Sequence, residues 1–106
     1  MNTARAAFST GRTRDVNFRI KQLKALLRLC EENNDEILLA LKKDMRKSKL
    51  EGYLYEVDLM KNDCRGAIRH LREWSKTEKL DRNWLTLADC GYISKVPYGV
   101  VLVIGK

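Results

Sequence analysis

The chain has 106 residues, 44% hydrophobic and 33% charged, which is the balance of a soluble globular domain and not obviously that of a disordered chain. That length limits it to one small domain, able to bury roughly 60 to 70% of its unfolded surface. The formal net charge is +7, but Lys42, Lys43, Arg46, Lys47 and Lys49 stand among Asp35, Glu36, Asp44, Glu51 and Glu56, so the excess reads as a solvated surface without the single-sign stripe of a specific nucleic-acid face.

The first ten residues, with Ala4, Ala6, Ala7 and Phe8, read as a short helix ended by Gly11. Asp15 then caps a second helix whose apolar positions Val16, Ile20, Leu23, Leu27 and Cys30 recur at steps of four and three. Asn33 or Asn34 marks a break or a new cap, with Glu36 placed to reciprocate from Asn33. Ile37, Leu38, Leu41 and Met45 continue the apolar face, with or without a real interruption.

Ser48 and Glu51 stand at capping-box spacing, so a long helix is expected to begin there. Its apolar seam is Leu50, Tyr53, Val57, Met60, Cys64, Ala67, Leu71 and Trp74. A seam of that period packs within the chain or in a dimeric coiled coil. Cys64 and Ala67 fill a coiled-coil interface poorly, and the neighbouring Gly66 costs about 1 kcal/mol of helix stability relative to alanine.

Beyond Trp74 the segment "SKTEKLDRN" is polar and turn-like, and residues 85–88 and 92–96 read as two short strands around the turn signal "DCG". Pro97 and Gly99 precede a last strand, residues 100–104, that is apolar at every position and therefore calls for cover on both faces.

Chemistry is harder to find. Cys30, Cys64 and Cys90 are widely spaced and His70 is the only histidine, which argues against a disulfide framework and a zinc site. A nucleophilic cysteine needs a base and a thiolate-favouring site, whereas Cys30 and Cys64 fall on apolar helical faces, Cys90 falls in a turn and His70 borders the seam. Gly99 and Gly105 are separated by five residues and no hydroxyl residue follows Lys106, which excludes a phosphate-binding P-loop. No secretory leader or membrane span is apparent, and a cytoplasmic, reducing location is expected.

Arg5, Phe8, Gly11 and Arg14, followed by Gln22, Leu23, Leu26, Ile37, Leu41, Asp44, Lys47, Ser48, Glu56 and Val57, and then by "LTLADCGYISKVPYGVVLVIG", form an ordered set that resembles the aldehyde dehydrogenases, in particular the class 3 or fatty-aldehyde branch. The resemblance covers essentially the whole chain and implies an α/β fold in its N-terminal portion. Residues 1–82 would be the helices packing on a nucleotide-binding domain, 83–97 an oligomerisation-type strand pair, and 98–106 the first strand of an incomplete Rossmann-type sheet.

The complete enzymes of that family oxidise aliphatic or aromatic aldehydes with NAD or NADP and act as homodimers. The resemblance implies that Ile104 and Gly105 are a remnant of the cofactor cleft wall. It places the nucleophilic cysteine, the general-base glutamate and the oxyanion asparagine on no residue of this sequence, so the chain alone is expected to be inactive, with neither cofactor nor metal bound. Its partner would be the remainder of such an enzyme or a full-length subunit. The alternatives are an interaction module that binds a full-length subunit, and a helical adaptor dimerising through the seam. A C-terminal tail, where some relatives attach to membranes, has no counterpart in these residues.

Overall fold

A computed structural model describes residues 2–80 and 90–104. The short first helix, α1 (Asn2–Ser9), ends where Gly11 adopts φ 72° and its N–H donates to the Phe8 carbonyl at 3.0 Å. A left-handed residue at that place costs glycine little, and the chain turns there into a single 3-10 turn (Arg12–Arg14). Asp15 then accepts from the N–H groups of Asn17 and Phe18 at 3.1 and 3.0 Å, satisfying orphan donors at the start of α2 (Val16–Glu32).

The α2 helix stops at Asn33, but not through the expected side-chain cap. Asn33 has φ −110° and ψ 24°, and its Nδ2 donates backwards to the Leu29 carbonyl at 2.9 Å. It therefore closes α2 and makes no side-chain cap for α3 (Asn34–Met45). Asp35 and Glu36 in the first turn of α3 and Lys42 and Lys43 in the last complement the helix dipole. Arg46 follows in the left-handed region at φ 55°.

Ser48 accepts from the Glu51 N–H at 3.2 Å and starts α4 (Lys49–Gly52). A π-helical turn (Tyr53–Val57) joins α4 to α5 (Asp58–Trp74) on unbroken right-handed backbone, with the Asp58 N–H reaching the Tyr53 carbonyl five residues back. The long helix expected after Ser48 is thus present, with one residue more than α-helical spacing allows in its second turn.

That extra residue shifts part of the buried line, while Val57, Cys64, Ala67 and Leu71 of the expected seam stay buried or half-buried. Gly52 and Val57, five apart, are both buried, and the buried or half-buried line then runs through Lys61, Cys64, Ile68, Leu71 and Ser75. Leu50, Tyr53, Met60 and Trp74 of the expected seam are exposed. Lys61 replaces Met60 on the inner line because its stem packs while Nζ reaches Asn34 Oδ1 at 3.4 Å and lies 5.7 Å from the Tyr53 ring centre. The α5 helix packs along α2, and α3 packs on α4 and the π turn. The core is correspondingly thin, with Cys30, Leu38, Val57 and Cys64 as its buried hydrophobic residues.

Glu78–Lys79 forms β1, which pairs antiparallel with β2 (Tyr92–Ile93), Glu78 opposite Ile93 and Lys79 opposite Tyr92. The polar stretch read as a turn therefore contains a strand, and the strand expected over 92–96 is shorter. The expected strand at 85–88 lies outside the described residues. Leu80 extends the pairing by donating to the Gly91 carbonyl at 3.0 Å. The pair leaves both faces exposed, which is why no apolar alternation announced β1.

Residues 100–104 do not form the expected strand. They have no ladder partner among the described residues, and their exposure rises from 43% at Val100 to 85% at Ile104. The radius of gyration is 19.4 Å, against roughly 13 Å for a compact chain of this size.

Candidate functional site

A cleft of about 940 Å³ lies between α1, the start of α2, the end of α5 and the segment after β2. Phe8, Val96 and Val100 supply apolar wall, while Arg14, Arg19 and Lys95 supply positive charge. The Asp15 cap fixes the start of α2, which carries Arg19 into this wall. Arg19 Nη2 donates to the Arg14 carbonyl at 3.1 Å, but its Nε is buried with no hydrogen-bond partner among the described residues. An unpaired buried donor beside a guanidinium charge favours an acceptor oxygen. Val100 lines this cleft, but Ile104 stands 85% exposed beyond it. Ile104 is not among the residues lining this cleft, and Gly105, its companion in the expected cofactor remnant, lies outside the described residues.

The cysteines fall in two environments. Cys30, on the inner face of α2, is fully buried, and its Sγ donates to Met60 Sδ at 3.3 Å. Cys64 lies one turn beyond Met60 on α5 and is also buried. Burial pushes its thiol above the ordinary 9.0, and neighbouring Cys30 and Asp63 push in the same direction. That is the opposite of what a nucleophile needs, since a reactive cysteine is one whose thiolate is favoured. Cys90 is exposed.

His70 stacks on Trp74, with ring centres 5.8 Å apart, and Nδ1 lies 3.8 Å from Glu73 Oε2 on an exposed stretch of α5. It is a surface side chain, as its position beside the seam suggested. Among the described residues no three of His, Cys, Asp and Glu converge as a metal site, and no helix is long and apolar enough to cross a membrane. The sequence reading passed over two features. One is the contact of Cys30 with Met60 between α2 and α5, with Cys64 one turn on; the other is the unpaired Arg19 donor, which no sequence pattern marks.

The elements that carry most of this geometry also carry the likeness to known proteins, and that likeness is to aldehyde dehydrogenases. No family model matches the chain. Among curated proteins it is 41% identical over 100 residues to aldehyde dehydrogenase family 3 member B1 of Bos taurus, an alignment covering 94% of this chain and 21% of that protein. It is 40% identical over 101 residues to family 3 member A2 of Macaca fascicularis, covering 95% of this chain and 21% of that protein. An aldehyde dehydrogenase of Craterostigma plantagineum is 34% identical over 100 residues, with 94% and 21% covered. The resemblance read from the residues is borne out: along nearly all of its length this chain is homologous to family 3 aldehyde dehydrogenases. It spans about a fifth of the length of these relatives.

Proposed function

We propose that this chain is the N-terminal portion of a class 3 type aldehyde dehydrogenase that oxidises aliphatic or aromatic aldehydes to carboxylic acids with NAD or NADP. The observation that carries the reading is identity of about 40% to family 3 members over 94 to 95% of the chain. In this reading residues 1–82 are the helical part that packs on the nucleotide-binding domain, 83–97 the oligomerisation-type pair, and 98–106 the first Rossmann-type strand. Ile104 and Gly105 then reach the edge of the cofactor cleft only when neighbouring strands of that sheet pair with them.

The family's reaction asks for a thiolate nucleophile, oxyanion donors and a carboxylate that activates water. Neither helical cysteine suits the first role: Cys30 is fully buried with no base beside it among the described residues, and burial pushes the Cys64 thiol up. This chain therefore contributes scaffold and oligomerisation surface, and the polypeptide of 106 residues alone forms no NADH. In this reading the complete protein is a cytoplasmic homodimer, and the exposed run at 100–104 supports the need for further protein against it.

The experiment is to capture the native protein from its source with an antibody to "LEGYLYEVDLMKND". Its intact mass is measured, and aldehyde-dependent NAD(P)H formation is compared with that of the purified 106-residue chain. Activity in the captured protein and none in the chain is the expected result. Aldehyde-dependent NADH formation by the pure chain would overturn the scaffold assignment, and a captured protein without dehydrogenase activity would overturn the enzyme assignment.

A further inference from the structure

We infer that Cys30, Met60 and Cys64 form a binding site for copper(I), held between α2 and α5 by the sulfurs of two cysteines and one methionine. The argument begins with placement. Cys30 is fully buried on α2, and its Sγ already touches Met60 Sδ at 3.3 Å, so a thiol and a thioether converge from different helices. Met60 and Cys64 are four apart on α5, where side chains one turn apart have Cβ atoms roughly 5 to 6 Å from each other and share a face. Cys64 is buried on α5, the helix that packs along α2.

The ligand chemistry selects the ion. Thiolate and thioether sulfur are soft donors and favour copper(I), whereas zinc in a structural site takes four nitrogen or sulfur ligands. No three of His, Cys, Asp and Glu converge among the described residues to complete such a zinc set. A low-coordinate soft cation is satisfied by what is present. Met60 is 39% exposed, so its thioether is open to solvent on one side, while both thiols are buried. Binding transfers no electrons: each thiol releases its proton to solvent, and the ion remains copper(I).

The test is an oxygen-free titration of the 106-residue chain with copper(I) supplied as its bicinchoninate complex, whose colour falls as the protein takes the ion. One equivalent should transfer to the wild-type chain and to Cys90→Ala. Cys30→Ala and Cys64→Ala should each weaken uptake by at least about tenfold. X-ray absorption should find sulfur-only coordination, with one sulfur fewer in Met60→Leu, a volume-conserving change whose helical circular dichroism should match wild type. If either alanine variant loses its helical signal, the sulfur count in Met60→Leu decides by itself. No uptake by wild type, uptake abolished by Cys90→Ala, or an unchanged sulfur count in Met60→Leu would each overturn the site.

Discussion

Gly52 and Gly66 lie on one continuous helical backbone and separate two physical effects that a single substitution would mix. A Cβ at Gly66 would meet nothing within 4 Å, so Gly66→Ala adds only helix preference, worth about 1 kcal/mol in a helix interior. A Cβ at Gly52 gains a similar preference but would meet Leu38 Cδ2 at 3.2 Å and Leu41 Cδ1 at 3.4 Å. Leu38 is buried, so it has little room to give, and overpacking of that kind costs typically 1 to 3 kcal/mol. Gly66→Ala should therefore stabilise the chain by about 1 kcal/mol, or roughly 4 to 8 °C in a domain of this size. Gly52→Ala should be neutral or destabilising by up to about 2 kcal/mol. Thermal and urea unfolding followed by circular dichroism at the helical band measures both. Equal stabilisation by the two substitutions would refute the close packing of α3 on α4, and destabilisation by Gly66→Ala would refute the open face of α5.

Asp15→Ala removes the acceptor for two N–H groups at the start of α2 and should cost about 1 kcal/mol, whereas Asp15→Asn should recover most of it in the same unfolding assay. Val57→Ala deletes two methyl groups from a fully buried site beside the π turn and should cost about 2 to 3 kcal/mol; a loss below about 0.5 kcal/mol would contradict its burial. Cys64 carries a pH dependence. Its thiol pKa is raised in the folded chain, so the unfolded chain ionises first, and its contribution is intact below 9.0 and lost as pH rises through the folded value. Stability should fall on that alkaline limb and fall less in Cys64→Ala, while parallel wild-type and variant profiles would sink the assignment. Val101→Lys with Val103→Lys alters residues that are 76% and 84% exposed, so in the isolated chain it should change stability by no more than about 0.5 kcal/mol and should reduce light scattering.

Local signals were legible where their physics is local. Gly11 turns the chain because a left-handed residue was needed, and Asp15 and Ser48 cap because their oxygens lie within reach of the next orphan donors. The seam was legible as a helix and only in part as a face: Val57, Cys64, Ala67 and Leu71 are buried or half-buried as expected, but the π turn shifts the line by a residue at other positions. Period counting then assigns Met60 and Trp74 to an interior where Lys61 and Ser75 lie instead. Nor does periodicity show that Lys61 can pack its stem and still place Nζ against Asn34. β1 was missed for the complementary reason: Glu78 and Lys79 pair through backbone while both side chains face solvent, so no apolar pattern records the strand.

The candidate site divides in the same way. The sulfur group could be half anticipated, since Met60 and Cys64 share a helical face, but Cys30 comes to it from a different helix by tertiary packing. The unpaired Nε of Arg19 is a property of geometry alone.

Residues 100–104 explain why the described chemistry is sparse while the likeness to dehydrogenases is extensive. Burying a Val, Leu or Ile side chain is worth roughly 1.5 to 3 kcal/mol, so leaving this run exposed forgoes an amount of order 10 kcal/mol. That equals the whole net stability of a typical small domain. A sequence gains nothing for its own fold from such a run when its side chains from Val101 to Ile104 are more than three-quarters exposed. The gain appears only when other protein covers both faces. The helices are therefore the self-sufficient part of the chain, held by Cys30, Leu38, Val57 and Cys64. The terminal run is the part whose apolar character is explained by an interface, as the proposed dehydrogenase scaffold requires.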